Sequence, residues 1–337
     1  MALNLELNNK KEQISRAAIE GEKLLRRVFS HDDNIGARST LTFGEPGSCK
    51  TAVTCHICEH FMYAQPSDKL FWRSSLNSPV QFTKLPKWHI YVEKDSGIRF
   101  FDRNTSKDIT DELHKKRKIT YFKTFHQLYS YAKPAVCNAV FFKDMHLKNV
   151  FEDNGSIQWF RFIRYLLRDF NWSHVFLDEY QEMVKAGNNK RKWHEINKHS
   201  DDITRARKSN VGIHGNCHQT EQIDYRVLTG FMIVLQLYGS RPFKYNMVSK
   251  SAIGALREPA IEYGAEGWIS EAGHFGKVRF TKIYEPPSRS FEARIVEEYE
   301  NIKKCSFCGR TYIPNRSDQQ YCDKACKEKA YRKRKGG

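Results

Sequence analysis

Long apolar runs are missing from this 337-residue chain. A membrane-spanning helix needs about 18 such residues, and the best stretch, residues 228–237, falls well short. The first residues, among them Asn8, Asn9, Lys10, Lys11 and Glu12, lack the apolar core of a secretory signal. No internal repeat is evident. Membrane insertion and secretion are therefore poor readings. Acidic residues are scarce beside basic ones: 39 Asp and Glu face 56 Lys and Arg, a formal net charge of +17. Such a balance points to a polyanion, most simply nucleic acid. Apolar residues at 40% and aromatics at 13% supply a core, which excludes a disordered polybasic chain.

A disulfide framework is also absent. The nine cysteines are odd in number and the chain is not small. Four of them, Cys305, Cys308, Cys322 and Cys326, fall in the last 33 residues as two close pairs. A reducing cytoplasm (a host's, if the protein is viral) and one structural metal site fit that distribution. Cys55 and Cys58 also have metal-like spacing, but within a helix they share a face and read as core. Cys137 and Cys217 have no partner in sequence and read the same way.

Residues 1–37 read as a helical lead-in. Residues 41–43 then form an apolar run that meets a glycine-rich turn, and residues 50–63 read as a helix. Strand, glycine turn and helix in that order signal an α/β fold. Further strands are expected over 70–72, 119–122, 136–142, 174–177 and 210–214, with helices over 125–132, 158–169 and 193–208. Residues 77–117 read as an insertion in which 88–92 and 98–101 form a β-hairpin around Lys94-Asp95-Ser96-Gly97. Beyond residue 220 the pattern predicts a helix over 225–238 and a strand over 278–284. A charged connecting helix is expected over 291–304, within a linker of 286–304.

The stretch Gly44-Glu45-Pro46-Gly47-Ser48-Cys49-Lys50-Thr51 matches the phosphate-loop pattern G-x-x-x-x-G-K-[ST], except that Cys49 stands for the last glycine. Glycines let the backbone wrap phosphates with its N–H groups turned inward. Lys50 would reach the β- and γ-phosphates, and the Thr51 hydroxyl would hold Mg²⁺. A side chain at position 49 is unfavourable if the loop needs a left-handed backbone there. A second apolar strand ends in Asp178-Glu179. In a nucleotide site the Asp serves the Mg²⁺ shell and the Glu can activate water, a pairing that favours hydrolysis over binding alone.

Taken together, the glycine loop, the Asp178-Glu179 strand and the polar-ended strand running into Asn216 resemble the P-loop ATPases with an additional catalytic glutamate. Chain order and an arginine-bearing helix before the last strand are most similar to the FtsK/HerA group of DNA-translocating and packaging ATPases. The resemblance covers residues 38–285. It implies a P-loop NTPase sheet with flanking helices, ATP as cofactor with Mg²⁺, and action on double-stranded DNA. Asn216 is implied as a polar sensor, with His218 and Gln219 behind it. It further implies homo-oligomers, such as hexameric rings, in which an arginine completes a neighbour's site. Arg205, Arg207 and Arg226 are the candidates, and the sequence does not choose between them.

The last cysteines supply two ligand pairs separated by 13 residues, the spacing of a closed four-thiolate zinc site. Residues 305–337 bury too little surface to fold unaided, so zinc itself would hold them. The stretch resembles short treble-clef-like zinc fingers. A helix is expected over 323–334, and Lys327, Lys329, Arg332, Lys333, Arg334 and Lys335 make it a candidate phosphate-backbone clamp. The sequence thus points to an ATP-driven motor on DNA. The alternative is a nucleotide-switched DNA-binding replication or regulatory protein with slow or no hydrolysis.

Overall fold

Strands such as Cys137–Phe141 and Ser173–Leu177 are buried at every position, as they must be when helices cover both faces of a parallel sheet. These are β6 and β7 of a ten-stranded sheet. In chain order the others are β1 (Thr40–Phe43), β2 (Lys69–Arg73), β3 (Trp88–Glu93), β5 (Ile119–Phe122), β8 (Val211–Cys217), β9 (Ile233–Leu237), β10 (Ala265–Glu271) and β11 (His274–Phe280). The spatial order is β11-β10-β9-β1-β8-β7-β2-β6-β3-β5. From β9 to β5 every pairing is parallel, while β10 and β11 add antiparallel to one side. The outermost β11 alternates in burial, the mark of a strand with one wet face. The α/β expectation holds.

The computed structural model describes residues 16–31, 36–74, 76, 79–142, 156–168, 172–184, 190–206, 208–218, 223–241, 248–260, 262, 264–281, 290–296, 303–308, 311–312, 320–321, 326–328 and 330–331. The chain separates into two compact units, Met1–Ile295 and Val296–Gly337. In the first, helix α1 (residues 16–28) buries Leu24 and Val28. Its Gly21 lies against the backbone of Gly276 and Lys277 in β11, so closely that neither glycine has room for a Cβ. Helix α2 (Lys50–Ala64) follows the glycine loop and buries Cys55, Cys58 and Phe61 completely, as does β6 with Cys137. The connecting helices are α3 (Thr110–Lys115), α4 (Phe125–Tyr131), α5 (Ser156–Leu166), α6 (Tyr180–Val184), α7 (Lys190–Ala206), α8 (Tyr225–Gly230) and α9 (Lys250–Gly254). No helix among the described residues is long and apolar enough to cross a membrane.

Three sequence expectations are corrected. First, residues 88–92 and 98–101 do not pair with each other. β3 enters the main sheet between β6 and β5, whereas β4 (Ile98–Asp102) pairs antiparallel with β12 (Phe291–Ile295) in a separate two-stranded sheet. The turn between them is real, with positive φ at Asp95 and Gly97. The difference lies in burial: the middle of β3 is enclosed on both faces, while β4 alternates. Second, the connecting helix over 291–304 begins instead as strand β12. Its first three residues, Phe291, Glu292 and Ala293, are buried, and Phe291 meets Phe82 and Phe100 with ring centroids 6.3 and 5.8 Å apart. Third, the helix over 225–238 stops at Gly230. Residues 233–237 become β9, hydrogen-bonded alongside β1, because this five-residue segment, apolar but for Gln236, is buried throughout in the sheet interior. The last strand also starts earlier than expected, at His274.

Candidate functional site

The parallel pairing of β1 with β8, and of β8 with β7, brings three strand ends to one edge of the sheet. The glycine loop leaves β1, Asp178 and Glu179 follow β7, and Asn216 lies at the end of β8, between them in the sheet. Residues remote in sequence meet here for a topological reason.

Within the loop, Gly44 and Ser48 are buried, while Glu45, Pro46 and Gly47 are exposed. A Cβ on Gly44 would run into the Ser48 side chain. The Ser48 hydroxyl is itself buried with no hydrogen-bond partner among the described residues. Gly47 has φ 87° with open space around it. Glu45 lies over Gly239, where a Cβ would come 2.7 Å from its Oε2. Cys49 caps α2 in the left-handed region, φ 64° and ψ 26°, and its carbonyl accepts from Val53 N at 3.0 Å. The glycine that usually stands there would hold this conformation without strain. Burial raises the Cys49 thiol, with Lys84 and Lys50 pulling the other way.

Lys50 Nζ donates to the Gly44 and Glu45 carbonyls, both at 2.9 Å, and meets His218 Nδ1 at 3.0 Å. Burial lowers the pKa of this ammonium, against the attraction of Glu179. The Thr51 hydroxyl donates to Asp178 Oδ1 at 3.3 Å. The same oxygen accepts from Asn216 Nδ2 at 2.8 Å. Burial raises the Asp178 carboxyl, while the Asn216 hydrogen bond opposes that shift. Asn216 also fixes the next residue, because its Oδ1 accepts from the Glu179 backbone N–H at 2.9 Å. Glu179 has φ 51°, a conformation rarely adopted by a residue with a side chain.

Three residues complete the cluster. His218 Nε2 lies 3.1 Å from Glu179 Oε2, so one imidazole bridges Lys50 and Glu179. An ammonium only donates and a carboxylate only accepts, so this geometry suits a ring that accepts at Nδ1 and donates at Nε2. Gln181 also donates to Glu179 Oε2. Arg73, at the end of β2 and 1% exposed, donates to the Asp178 carbonyl at 2.7 Å. Sequence reading passed over Arg73. Its signal was a charge closing the otherwise apolar run Leu70-Phe71-Trp72.

The candidate arginines stand apart. Arg205 is exposed in the last turn of α7. Arg226 is gripped by Asp224 through Nε at 3.0 Å and Nη2 at 2.9 Å, and lies over the Trp193 ring. Arg207 and Gln219 lie outside the described residues. In the second unit, β13 (Lys303–Lys304) and β14 (Thr311–Tyr312) pair antiparallel ahead of and behind the first cysteine pair. The sulfurs of Cys305, Cys308 and Cys326 lie within 4.8 Å of one another. Residues 326–328 and 330–331 are helical and Lys327 is exposed. Cys322, Lys329, Arg332, Lys333, Arg334 and Lys335 lie outside the described residues.

No protein-family model and no curated protein matches the sequence. Among solved structures the chain is similar to the genome packaging NTPase B204 from Sulfolobus turreted icosahedral virus 2 in complex with AMPPCP. The TM-score is 0.47 at 9% identity, over 73% of this chain and 98% of that one. It is also similar to the bacterial conjugative coupling protein TrwBdeltaN70, with a TM-score of 0.45 at 11% identity over 79% and 93%. For a DnaB-like replicative helicase the TM-score is 0.40 at 15% identity, over 80% of this chain and 62% of that one. At these identities the likeness concerns the course of the chain and assigns no residue a role.

Proposed function

We propose that this chain is a Mg²⁺-dependent ATPase that acts on nucleic acid, as a DNA translocase or packaging motor of the FtsK/HerA type. The observation that carries the hydrolytic part is the convergence of Lys50, Thr51, Asp178, Glu179 and Asn216 at one sheet edge. The buried, unpartnered Ser48 hydroxyl and the inward Lys50 fit a phosphate chain held by residues 44–51. Thr51 and Asp178 supply the oxygen donors that suit Mg²⁺, which would neutralise phosphate charge when bound. Glu179 is the general base for the attacking water. Asn216 positions both carboxylates, one through its side chain and the other through its backbone. His218 holds the base and the loop lysine together, and a bound phosphate would compete for Lys50.

An arginine on a second copy, Arg205, Arg207 or Arg226, completes the site in a ring. The three gathered cysteines, with Cys322 as fourth ligand, fit zinc as a structural ion. The basic segment after them would follow a DNA backbone. Cys49 favours one second reading, a nucleotide-switched DNA-binding protein with slow hydrolysis, because a side chain strains the loop at φ 64°.

The test is ATP hydrolysis by zinc-loaded full-length protein, with and without double-stranded DNA, beside Glu179→Gln. Stimulation by DNA, and a loss of about 10²–10⁴ in kcat in the variant with ATP binding retained, is the expected result. Tight ATP binding without turnover in either condition would sink the motor and leave the switch.

A further inference from the structure

At the opposite ends of the same strands, three ligand-type atoms converge. His31 Nε2 lies 2.8 Å from Asp68 Oδ2, and His174 Nε2 lies 3.1 Å from the same oxygen. All three atoms fall within 4.8 Å of one another. Asp68 directly precedes β2, and His174 is the second residue of β7, in register with Leu70. His31 follows α1 and stacks on Trp172, with ring centroids 3.8 Å apart. The Asp68 side chain is wholly buried and that of His174 is 2% exposed, whereas His31 keeps 22% of its side chain in solvent.

A carboxylate removed from water needs a compensating charge. Among the described residues Asp68 pairs with these two imidazoles, while the neighbouring Lys69 donates to the Tyr129 carbonyl. Behind His174 the polar contacts continue. Its Nδ1 lies 3.1 Å from His214 Nε2, and His214 Nδ1 lies 2.9 Å from Thr40 Oγ1. With protons running from His174 through His214 to the Thr40 hydroxyl, His174 Nε2 faces Asp68 as a bare lone pair. That is the disposition of a metal-bound histidine whose outer nitrogen is held by a second layer of partners. The reverse polarity makes the same residues a hydrogen-bonded carboxylate. The two alternatives differ in metal content.

We propose that His31, Asp68 and His174 hold a divalent first-row cation, zinc by the character of the donors, with a fourth position open to water beside His31. Two nitrogens and one oxygen suit zinc with three protein ligands. Ligands at about 2.0–2.2 Å in tetrahedral geometry stand roughly 3.3 Å apart, so the two separations from Asp68 Oδ2 need open by only a few tenths of an ångström, and the two nitrogens already lie within 4.8 Å of each other. The ion would fasten the segment after α1 to the sheet edge remote from the glycine loop. This site is separate from the cysteine cluster and does not depend on the nucleotide reading.

Full-length protein and its His31→Ala and His31→Gln variants, purified with zinc and dialysed against zinc-free buffer, are compared for metal per chain by mass spectrometry. Whatever the cysteines bind is common to all three and cancels. The expected result is the loss of one equivalent in both variants. Cobalt reconstitution should show visible bands of nitrogen–oxygen type that vanish with His31. The glutamine variant keeps a donor toward Asp68 and guards against a folding defect, checked by circular dichroism. A full metal complement in either variant overturns the proposal and leaves a hydrogen-bonded carboxylate.

Discussion

A non-glycine residue in the left-handed region costs roughly 1–2 kcal/mol, and the loop places Cys49 there at φ 64°. The penalty grows when the side chain branches at Cβ. Cys49→Val should therefore destabilise the protein by about 1–2 kcal/mol, whereas Cys49→Gly should stay within about 1 kcal/mol of the parent. Urea unfolding of the three proteins checks this; equal stability for valine and cysteine would mean that the loop relaxes away from φ 64°. The same residue shows what sequence reading can reach. Its strain was readable because Gly44, Lys50 and Thr51 match the pattern and Cys49 alone departs from it, and local spacing determines the local backbone. Lys50, Thr51, Asp178 and Glu179 were readable on the same ground. Arg73 was not, because its partner is a carbonyl 105 positions away that only the pairing of β2 with β7 brings near. His31, Asp68 and His174 share no spacing at all, and nothing short of the strand order unites them.

At the scale of elements, periodicity separated helices from strands where runs were long and mixed, as in α5 and α7, and failed where they were short. Residues 233–237 are four apolar positions and Gln236, too few to distinguish a buried strand from a helix by pattern alone. Gly230 and Gly239 at their borders were the available signal. The two-stranded sheet of β4 and β12 was hidden for another reason: about 190 residues separate partners whose alternation is only five residues long. Close packing of α1 on β11 was equally illegible, yet it makes a sharp prediction. Gly276 meets the Gly21 backbone without room for a Cβ, so Gly276→Ala must push helix and strand apart. A loss of about 1–3 kcal/mol is expected by urea unfolding. Gly254, at the end of α9, has nothing within 4 Å of an added Cβ and no positive φ. Its alanine variant should match the parent or gain about 0.4–1 kcal/mol. Equal effects at the two sites would mean that α1 does not pack there.

For the whole molecule, the charge of +17 argues for a polyanion but says nothing about where it lies. The described part of the first unit commits many of its cations internally: Arg38 to Glu271, Arg164 to Glu195 and Asp202, Arg73 to Asp178 and Glu182. Six basic residues, Lys327, Lys329, Arg332, Lys333, Arg334 and Lys335, crowd the end of the second. Counterion release turns this into a measurement, since each phosphate neutralised on duplex DNA contributes about −0.9 to the slope of log Kobs against log salt. If all six cations meet phosphates, their replacement by glutamine should make the slope shallower by about 5. Lys50→Ala, which removes a cation from the glycine loop instead, should leave the slope unchanged. Fluorescence anisotropy on labelled duplex across a salt series distinguishes the cases. A slope unmoved by the six substitutions would place the DNA on the larger unit, and one that falls with Lys50→Ala would mean that the loop lysine itself meets DNA.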